Sequence, residues 1–325
     1  MSSITAIARP NIALIKYWGK QDRAANLPVT GSLSMTLDHF HTRTTITPDS
    51  SLKRDEILLN SRSAASGEAE RIVRLLDRIR ADFGVSGFVR VESENNFPTA
   101  SGLASSASGF AALALAAARA FGLTLELREL SELARRGSGS APRSLLGGLV
   151  MYAPESPGSD AYRLSQLRRP DEWELRMIVA VTTDEPKKVG STEGMERTRR
   201  SSPYFRDWAL HNTELLRKAR DAVAAGNFAE LGSLTESSCF SMHAVMMSAN
   251  PPLVYWNPAT LAVMRKVWDL REQGLEGYVT IDAGPHVKVL CEPQSAEALT
   301  DELRRIENVR AVFIERPGPG AEIVS

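Results

Sequence analysis

The segment from Pro98 to Gly109 is the part of the sequence whose composition best suits an anion. Its glycines and serines let the backbone approach a ligand closely, and an alanine-rich helix follows directly. The free N–H groups and the dipole at the start of such a helix favour a phosphate. The segment matches neither a Walker A loop nor a dinucleotide-binding fingerprint. It predicts a phosphate site, with a turn that only packs a helix against a strand as the alternative.

A second group of candidate residues follows an apolar, strand-like segment that begins at Asn11. Lys16 and Lys20 are compact positive charges suited to phosphate oxygens, and Tyr17 adds a neutral donor. Arg71 lies on the polar face of a predicted helix. The alternative for these residues is a strand end and a helix surface whose cations are solvated or salt-bridged.

Two further segments combine small hydroxyl residues with a cation. Ser138 and Ser140 precede Arg143, whose planar guanidinium can pair bidentately with a carboxylate of the substrate or of the enzyme. Ser191 begins a hydroxyl-rich turn after two lysines and could donate to a phosphate. A helix N-cap is the alternative for that turn.

One aspartate, Asp282, directly follows an apolar strand and precedes a Gly-Pro turn. A carboxylate in this position is held rigidly and partly desolvated, which suits a general base. Capping of the turn is the alternative, because Asp is a normal turn residue. His286 has no partners at metal-ligand spacing, and we interpret it as a hydrogen-bonded scaffold residue.

The pattern of apolar residues predicts an α+β fold rather than a strictly alternating parallel sheet. Strands are predicted at 4–8, 42–47, 88–92, 149–152, 278–281, 287–291 and 309–314, with another inside 173–183. Helices are predicted at 72–83, from about 105 to near 122, and at 126–136, 203–225, 228–248, 258–273 and 296–306. Long helical patterns dominate the sequence after residue 201. We therefore place a domain boundary so that residues 1–185 and 186–325 form separate domains.

The overall composition narrows the class of protein. Lys plus Arg and Asp plus Glu both number 39 in 325 residues, so no global basic field would attract nucleic acid. The two cysteines, Cys239 and Cys291, form no metal motif and fit a reducing compartment. Apolar runs are too short for a membrane span, and charged residues interrupt the N-terminal apolar segment. We therefore expect a cytoplasmic, soluble protein.

Taken together and in this order, the segments resemble the mevalonate diphosphate decarboxylases of the GHMP kinase superfamily. The matching segments cover residues 11–20, 95–106, 137–144, 191–195 and 281–285. The resemblance implies two domains, an N-terminal ATP-binding domain like domain 2 of ribosomal protein S5 and a C-terminal GHMP domain, with a deep cleft between them. It also implies ATP-dependent decarboxylation of mevalonate 5-diphosphate to isopentenyl diphosphate.

The resemblance also implies roles for individual residues. Asp282 would face the 3-hydroxyl of the substrate, Arg143 would contact the substrate carboxylate and hold Asp282, and Lys16 would stabilise the transferring phosphoryl group. Residues implied to bind the substrate and its diphosphate are Tyr17, Lys20, Arg71, Ser138, Ser140 and Ser191. Those implied to cradle the ATP phosphates are Pro98, Ser101, Gly102, Leu103, Ala104, Ser105 and Ser106. Mg²⁺ is expected as a second cofactor without a dedicated protein cage, and a homodimer as the assembly.

Two positions depart from the pattern of the family and leave other activities open. Pro142 replaces a frequent cysteine, and His286 replaces a frequent asparagine. Two alternative activities on the same fold are decarboxylation of mevalonate 5-phosphate and a mevalonate 3-kinase reaction. A non-catalytic binding protein, for example one that binds RNA, is the alternative from another class. Balanced charge and the lack of interleaved aromatic and basic residues disfavour RNA binding.

Overall fold

The computed structural model describes residues 2–97, 105–156, 158–185 and 187–325, and these ranges form an α+β fold. No helix within them is long and apolar enough to cross a membrane. A short 3-10 helix covers Ala141–Leu145. The α-helices of these ranges are α1 (Ser66–Phe83), α2 (Ser105–Ala120), α3 (Leu127–Gly137), α4 (Ser191–Ser201), α5 (Phe205–Ala225), α6 (Phe228–Met247), α7 (Pro258–Glu272) and α8 (Pro293–Arg304).

The strands of the same ranges belong to sheets that are mainly antiparallel. They are β1 (Ile4–Ala8), β2 (Asn11–Ile15), β3 (Lys20–Asp22), β4 (Leu27–Pro28), β5 (Ser32–Thr36), β6 (Thr42–Pro48), β7 (Glu56–Leu59), β8 (Arg62–Ser63), β9 (Val89–Asn95), β10 (Leu149–Pro154), β11 (Tyr162–Arg168), β12 (Arg176–Val181), β13 (Tyr278–Ile281), β14 (Val287–Cys291), β15 (Ala311–Glu315) and β16 (Glu322–Ile323).

The N-terminal half is built on a sheet in the order β16-β1-β6-β9-β7-β8. Helix α2 packs on β1 and β6, and its alanines lie in the core with the apolar side of α1. Small side chains let α2 lie close to the sheet, which fixes the N-terminal end of the helix. A second sheet of this half has the order β11-β10-β5-β2.

The C-terminal sheet has the order β13-β14-β12-β15 and is buried on both faces. Ile178 and Ala180 of β12 pack with α7 and α8, whereas Met177 and Val179 face a core shared with α5, α6, β2 and β5. Side chains alternate between the faces of a strand, so both sets must be apolar. The uninterrupted apolar run in β12 is the result.

A hydrogen bond joins β2 and β13, which belong to different sheets, where these cores meet. The hydroxyl of Thr280 in β13 donates to the carbonyl of Ala13 in β2 at 3.2 Å. Lys16 directly follows β2 and Asp282 directly follows β13. The contact between the strands therefore brings two candidate residues to one place, although they are far apart in the chain.

The predicted α+β class and most predicted elements are confirmed. The strands at 4–8, 278–281 and 287–291 have the predicted bounds. Helix α1 begins six residues earlier than 72, because its first turn is polar and gives no apolar periodicity. Helix α8 begins at Pro293 rather than 296, since proline is accommodated at the first helical position.

Candidate active site

A cleft of about 1420 Å³ contains most of the candidate residues. Its wall includes the ends of β2 and β13, one side of α1, the starts of α2 and α4, and the 3-10 helix. Candidate residues that line it are Lys16, Tyr17, Lys20, Arg71, Ser105, Ser106, Ser138, Ser140, Arg143, Ser191 and Asp282. Pro98, Ser101, Gly102, Leu103 and Ala104 lie outside the described residues.

Asp282 is held between two buried ammonium groups. Nζ of Lys16 donates to Oδ1 at 2.7 Å, and Nζ of Lys288 lies 3.3 Å from Oδ2. Both lysine side chains are 1% exposed, whereas the Asp282 side chain is 27% exposed and opens to the cleft. Burial by itself would raise the pKa of Asp282, but the two ammonium groups lower it well below its usual range. The carboxylate is therefore ionised at neutral pH.

The backbone at Lys16 is clamped by helices of the other half of the chain. Its N–H donates to Oγ of Ser238 at 2.9 Å, and its carbonyl accepts from Nδ2 of Asn212 at 3.0 Å. Ser238 in turn donates to Oδ1 of Asn212 at 3.0 Å. Strand β2 carries a register irregularity between Ala13 and Ile15, so its end needs these partners from α5 and α6.

Arg143 lies in the cleft wall within a polar cage, and no carboxylate of the described residues is within ion-pair distance of it. Its Nε donates to Oδ1 of Asn11 and to Oγ of Ser34, both at 3.1 Å, and Nη1 donates to Oγ of Ser32. Burial lowers the pKa of Arg143 to about 10, so it is still protonated at neutral pH. Among the described contacts, the oxygens of Asp282 face Lys16 and Lys288, and the expected hold of Arg143 on Asp282 stays a prediction.

Tyr17 lies against the backbone of Gly139, between Ser138 and Ser140. A Cβ atom at Gly139 would be 2.3 Å from the phenol oxygen, so this approach requires glycine. Within the described ranges, that buried oxygen has no hydrogen-bond partner. Burial raises the pKa of Tyr17, so the group lines the cleft as a neutral donor.

Lys20 and Arg71 form a cationic corner of the cleft. Nζ of Lys20 donates to Oγ1 of Thr192 at 3.1 Å, and Nη2 of Arg71 donates to the carbonyl of Gly137 at 3.0 Å. The Arg71 guanidinium also lies 4.8 Å from the ring centre of Phe110. Burial, and then the nearby guanidinium groups, lower the pKa of Lys20 to about 8.

Ser191 is the first residue of α4, and the cation beside it is Lys187. Nζ of Lys187 donates to Oγ of Ser191 at 2.8 Å and to the carbonyl of Ala283 at 3.2 Å. These bonds connect the start of α4 with the turn that follows Asp282. Burial lowers the pKa of Lys187.

The serine hydroxyls of the cleft lie close to one another. Oγ of Ser138 is 3.4 Å from Oγ of Ser106 and 3.2 Å from Oγ of Ser140. Across the described ranges, no group of three His, Cys, Asp or Glu residues could hold a metal ion. The cleft thus combines hydroxyl donors with an excess of buried cations, and this combination suits ligands with several negative charges.

Sequence reasoning missed Lys288, Asn212 and Ser238. Lys288 had a signal, because it is a lysine inside the otherwise apolar strand β14. A buried lysine is rare unless it is paired. Asn212 and Ser238 are single polar residues within long helices, and only the packing of α5 and α6 against β2 gives them their function.

Family models match both halves of the chain. Residues 8–163 match the diphosphomevalonate decarboxylase-like N-terminal domain, and residues 177–314 match the mevalonate 5-diphosphate decarboxylase C-terminal domain. The diphosphomevalonate decarboxylase of Candida albicans is 35% identical over 310 residues, which cover 89% of this chain and 84% of the relative. The enzyme of that name from Homo sapiens is 35% identical, with 89% and 76% covered.

Solved structures give the same result for the fold. Mevalonate diphosphate decarboxylase from Staphylococcus aureus has a TM-score of 0.93 and 37% identity, with 99% of this chain and 98% of that chain covered. MDDEF in complex with MVAPP, AMPPCP and magnesium has a TM-score of 0.92 and 38% identity, with 99% of both chains covered. The predicted two-domain GHMP kinase fold is thereby confirmed, and the chain belongs to the diphosphomevalonate decarboxylase family.

Proposed function

We propose that this protein catalyses the ATP-dependent decarboxylation of mevalonate 5-diphosphate. The 3-hydroxyl receives the terminal phosphoryl group of ATP and ADP leaves. Loss of that phosphate and of carbon dioxide then gives isopentenyl diphosphate. The observation that carries the proposal is the ionised Asp282 at the cleft wall, with Lys16, Lys288 and Arg143 behind it, in a chain of this family.

Asp282, Lys16 and Arg143 are proposed to carry the reaction. The Asp282 carboxylate accepts a hydrogen bond from the 3-hydroxyl and orients it toward ATP. Its low pKa makes orientation a better role than full proton removal. Lys16 neutralises charge on the transferring phosphoryl group. Arg143 is protonated and has only neutral side-chain partners in the described contacts, which supports pairing with the substrate carboxylate.

The part of the cleft lined by Lys20, Arg71, Tyr17 and Ser191 is proposed to hold the diphosphate of the substrate. Lys20 and Arg71 supply positive charge there, and Tyr17 supplies a neutral donor. The hydroxyl of Ser191 adds a donor at the start of α4, where the helix dipole favours an anion. Ser138 and Ser140 line the same cleft, which supports contacts to the body of the substrate.

ATP and Mg²⁺ are the proposed cofactors. Ser105 and Ser106 lie in the first turn of α2, whose free N–H groups suit the ATP phosphates. The remaining residues of the proposed cradle, Pro98, Ser101, Gly102, Leu103 and Ala104, stay a prediction. Hydroxyl oxygens of Ser106 and Ser138 fit a hard cation whose other ligands are phosphates and water. Mg²⁺ held in this way would neutralise phosphate charge.

The organisation of the whole protein is also a proposal. We propose domains of residues 1–185 and 186–325, a homodimer, and a cytoplasmic location. Strand β12 lies before this boundary and pairs with β14 and β15, so the proposed N-terminal domain contributes one strand to the C-terminal sheet. A homodimer would have twice the mass of the chain in light scattering. Limited proteolysis would locate the boundary between the two domains.

The test of the proposed substrate is a comparison of mevalonate, mevalonate 5-phosphate and mevalonate 5-diphosphate. Each is incubated with the protein, ATP and Mg²⁺ while ADP and carbon dioxide are followed. The proposal expects carbon dioxide from the diphosphate, with kcat/KM at least about 100-fold above that of the monophosphate, because two phosphates engage the cationic corner. Preference for the monophosphate would contradict the substrate assignment. ADP without carbon dioxide would identify a kinase instead.

A further inference from the structure

Lys288 is a buried cation beside Asp282. None of the roles proposed above is assigned to it. Its side chain is 1% exposed, and its Nζ lies 3.3 Å from Oδ2 of Asp282. The same Nζ donates to the carbonyl of His286 at 3.4 Å. Lys288 therefore touches the carboxylate on the oxygen that Lys16 does not take.

The strand fixes the direction of Lys288. In β14, Val287 and Val289 pack into the core with α7 and α8. Side chains alternate along a strand, so Lys288 emerges on the opposite face, level with Thr280 of β13 and Val179 of β12. An apolar side chain of similar length would avoid the cost of desolvating an ammonium group there. The ion pair with Asp282 is the interaction that offsets this desolvation cost.

We infer that Lys288 is a positioning residue for the reaction, which holds the Asp282 carboxylate between two ammonium groups and aimed at the cleft. The inference rests on the proposed function. Lys16 binds Oδ1 and Lys288 faces Oδ2, so rotation of the carboxylate would break one of the two contacts. The fixed plane presents the exposed part of the group to a substrate hydroxyl.

The other titratable groups around Asp282 do not replace this contact. Burial lowers the pKa of His243 to about 3 and raises that of Cys239 to about 11, so both are neutral near pH 7. His286 is also neutral, since burial lowers its pKa to about 3. Four charged groups act on Asp282. They come from the end of β2, the 3-10 helix, the segment before α4, and β14, and they are Lys16, Arg143, Lys187 and Lys288.

Kinetics of Lys288→Met provide the first test. The variant is expected to lose at least about tenfold in kcat for ADP formation, while KM for both substrates stays within about threefold. The acid limb of the kcat profile should move to higher pH, because a carboxylate beside one ammonium group protonates more easily. Lys266→Met is the matched control. Lys266 pairs with Glu302 at 3.0 Å on the outer side of α7, and its loss should change neither rate nor profile.

A ¹³C NMR titration of carboxylate signals in the ligand-free protein provides a readout without turnover. Asp282→Asn assigns the signal of Asp282. In the unchanged protein this signal should stay constant down to about pH 4, whereas in Lys288→Met it should titrate above that pH. Lys288→Arg keeps a cation, and its signal should resemble that of the unchanged protein.

The two readouts separate the inference from the proposed function. An unchanged protein that forms no ADP would remove the proposed function, and the NMR titration would still show whether Lys288 controls Asp282. An active protein whose Lys288→Met variant keeps both the kcat profile and the Asp282 signal would overturn the inference. Loss of rate with unchanged pH behaviour would assign Lys288 a structural role and would overturn it as well.

Discussion

Asp282 is the residue at which the charges of the cleft meet. One carboxylate faces the ammonium groups of Lys16 and Lys288, with the Arg143 guanidinium also buried in the wall. The wall therefore keeps a net positive charge after Asp282 is counted. Such a surplus is costly in an empty cleft and is compensated when an anionic substrate binds. The arrangement accounts for both binding of a polyanion and orientation of its hydroxyl.

Asp282→Asn is expected to abolish turnover, with a loss of at least about 10³-fold in kcat. The amide cannot supply the charge that orients the hydroxyl and balances the two lysines. The fold should persist because the apolar cores do not include this residue, although two buried cations lose their counter-charge and stability falls. Steady-state kinetics and circular dichroism check this. Turnover that remains normal would remove Asp282 from the reaction.

The lowered pKa of Lys20 leads to a prediction of how substrate binding changes with pH. Its pKa of about 8 means that the ammonium form is present below that pH and is lost above it. The kcat/KM for mevalonate 5-diphosphate should therefore fall as pH rises through about 8, since kcat/KM reports the free enzyme. Lys20→Arg keeps the charge and should move this fall to higher pH. A profile that is the same in both proteins would exclude Lys20 as its cause.

The sequence predicted Lys16, Arg143 and Asp282 as candidate residues, and the structure brings them to one cleft. It did not predict the partners of Asp282, because contacts between distant strands leave no local pattern. Arg143 was expected to hold the carboxylate, whereas Asn11, Ser32 and Ser34 enclose its guanidinium.

At the scale of elements, helices α5 and α6 act on the site through the backbone of β2. Asn212 and Ser238 satisfy the carbonyl and N–H of Lys16, where the strand pairing ends. Buried backbone groups left without partners are costly, so these side chains both stabilise the fold and fix the start of the Lys16 side chain.

Ser238→Ala tests this clamp. The variant should lose about 1–3 kcal/mol of the free energy of unfolding, because it leaves the Lys16 N–H and an Asn212 oxygen unpaired. A fall of about tenfold in kcat is expected with it, since small displacements of catalytic groups are costly. Ser241→Ala is the control on the same helix, as its hydroxyl bonds only to the carbonyl of Ser238 in the described contacts. The same kcat in both variants would contradict the proposal that Ser238 positions Lys16.

Element positions were well predicted where the period of apolar residues is clear, as in β13, β14 and α7. Strands β5, β7 and β11 were not predicted, and neither were the short strands β3, β4, β8 and β16. The short strands contain two or three residues each, which is too few to show alternation, and pairing with neighbours alone defines them.

At the scale of the molecule, the cleft exists because both halves of the chain contribute to one wall. Lys16 and Arg143 come from the N-terminal half, and Asp282 and Lys288 from the C-terminal half. The hydrogen bond between Thr280 and Ala13, and the core shared by α5, α6 and the inner strands, join the halves at this wall. Balanced overall charge therefore coexists with a strongly cationic site.

The most direct measurement is the yield of carbon dioxide per ADP during turnover of mevalonate 5-diphosphate labelled at its carboxylate carbon. If the charges of the cleft support phosphoryl transfer to the 3-hydroxyl followed by elimination, one carbon dioxide should appear for each ADP, together with isopentenyl diphosphate. ADP formed without labelled carbon dioxide, or carbon dioxide formed without consumption of ATP, would contradict the account.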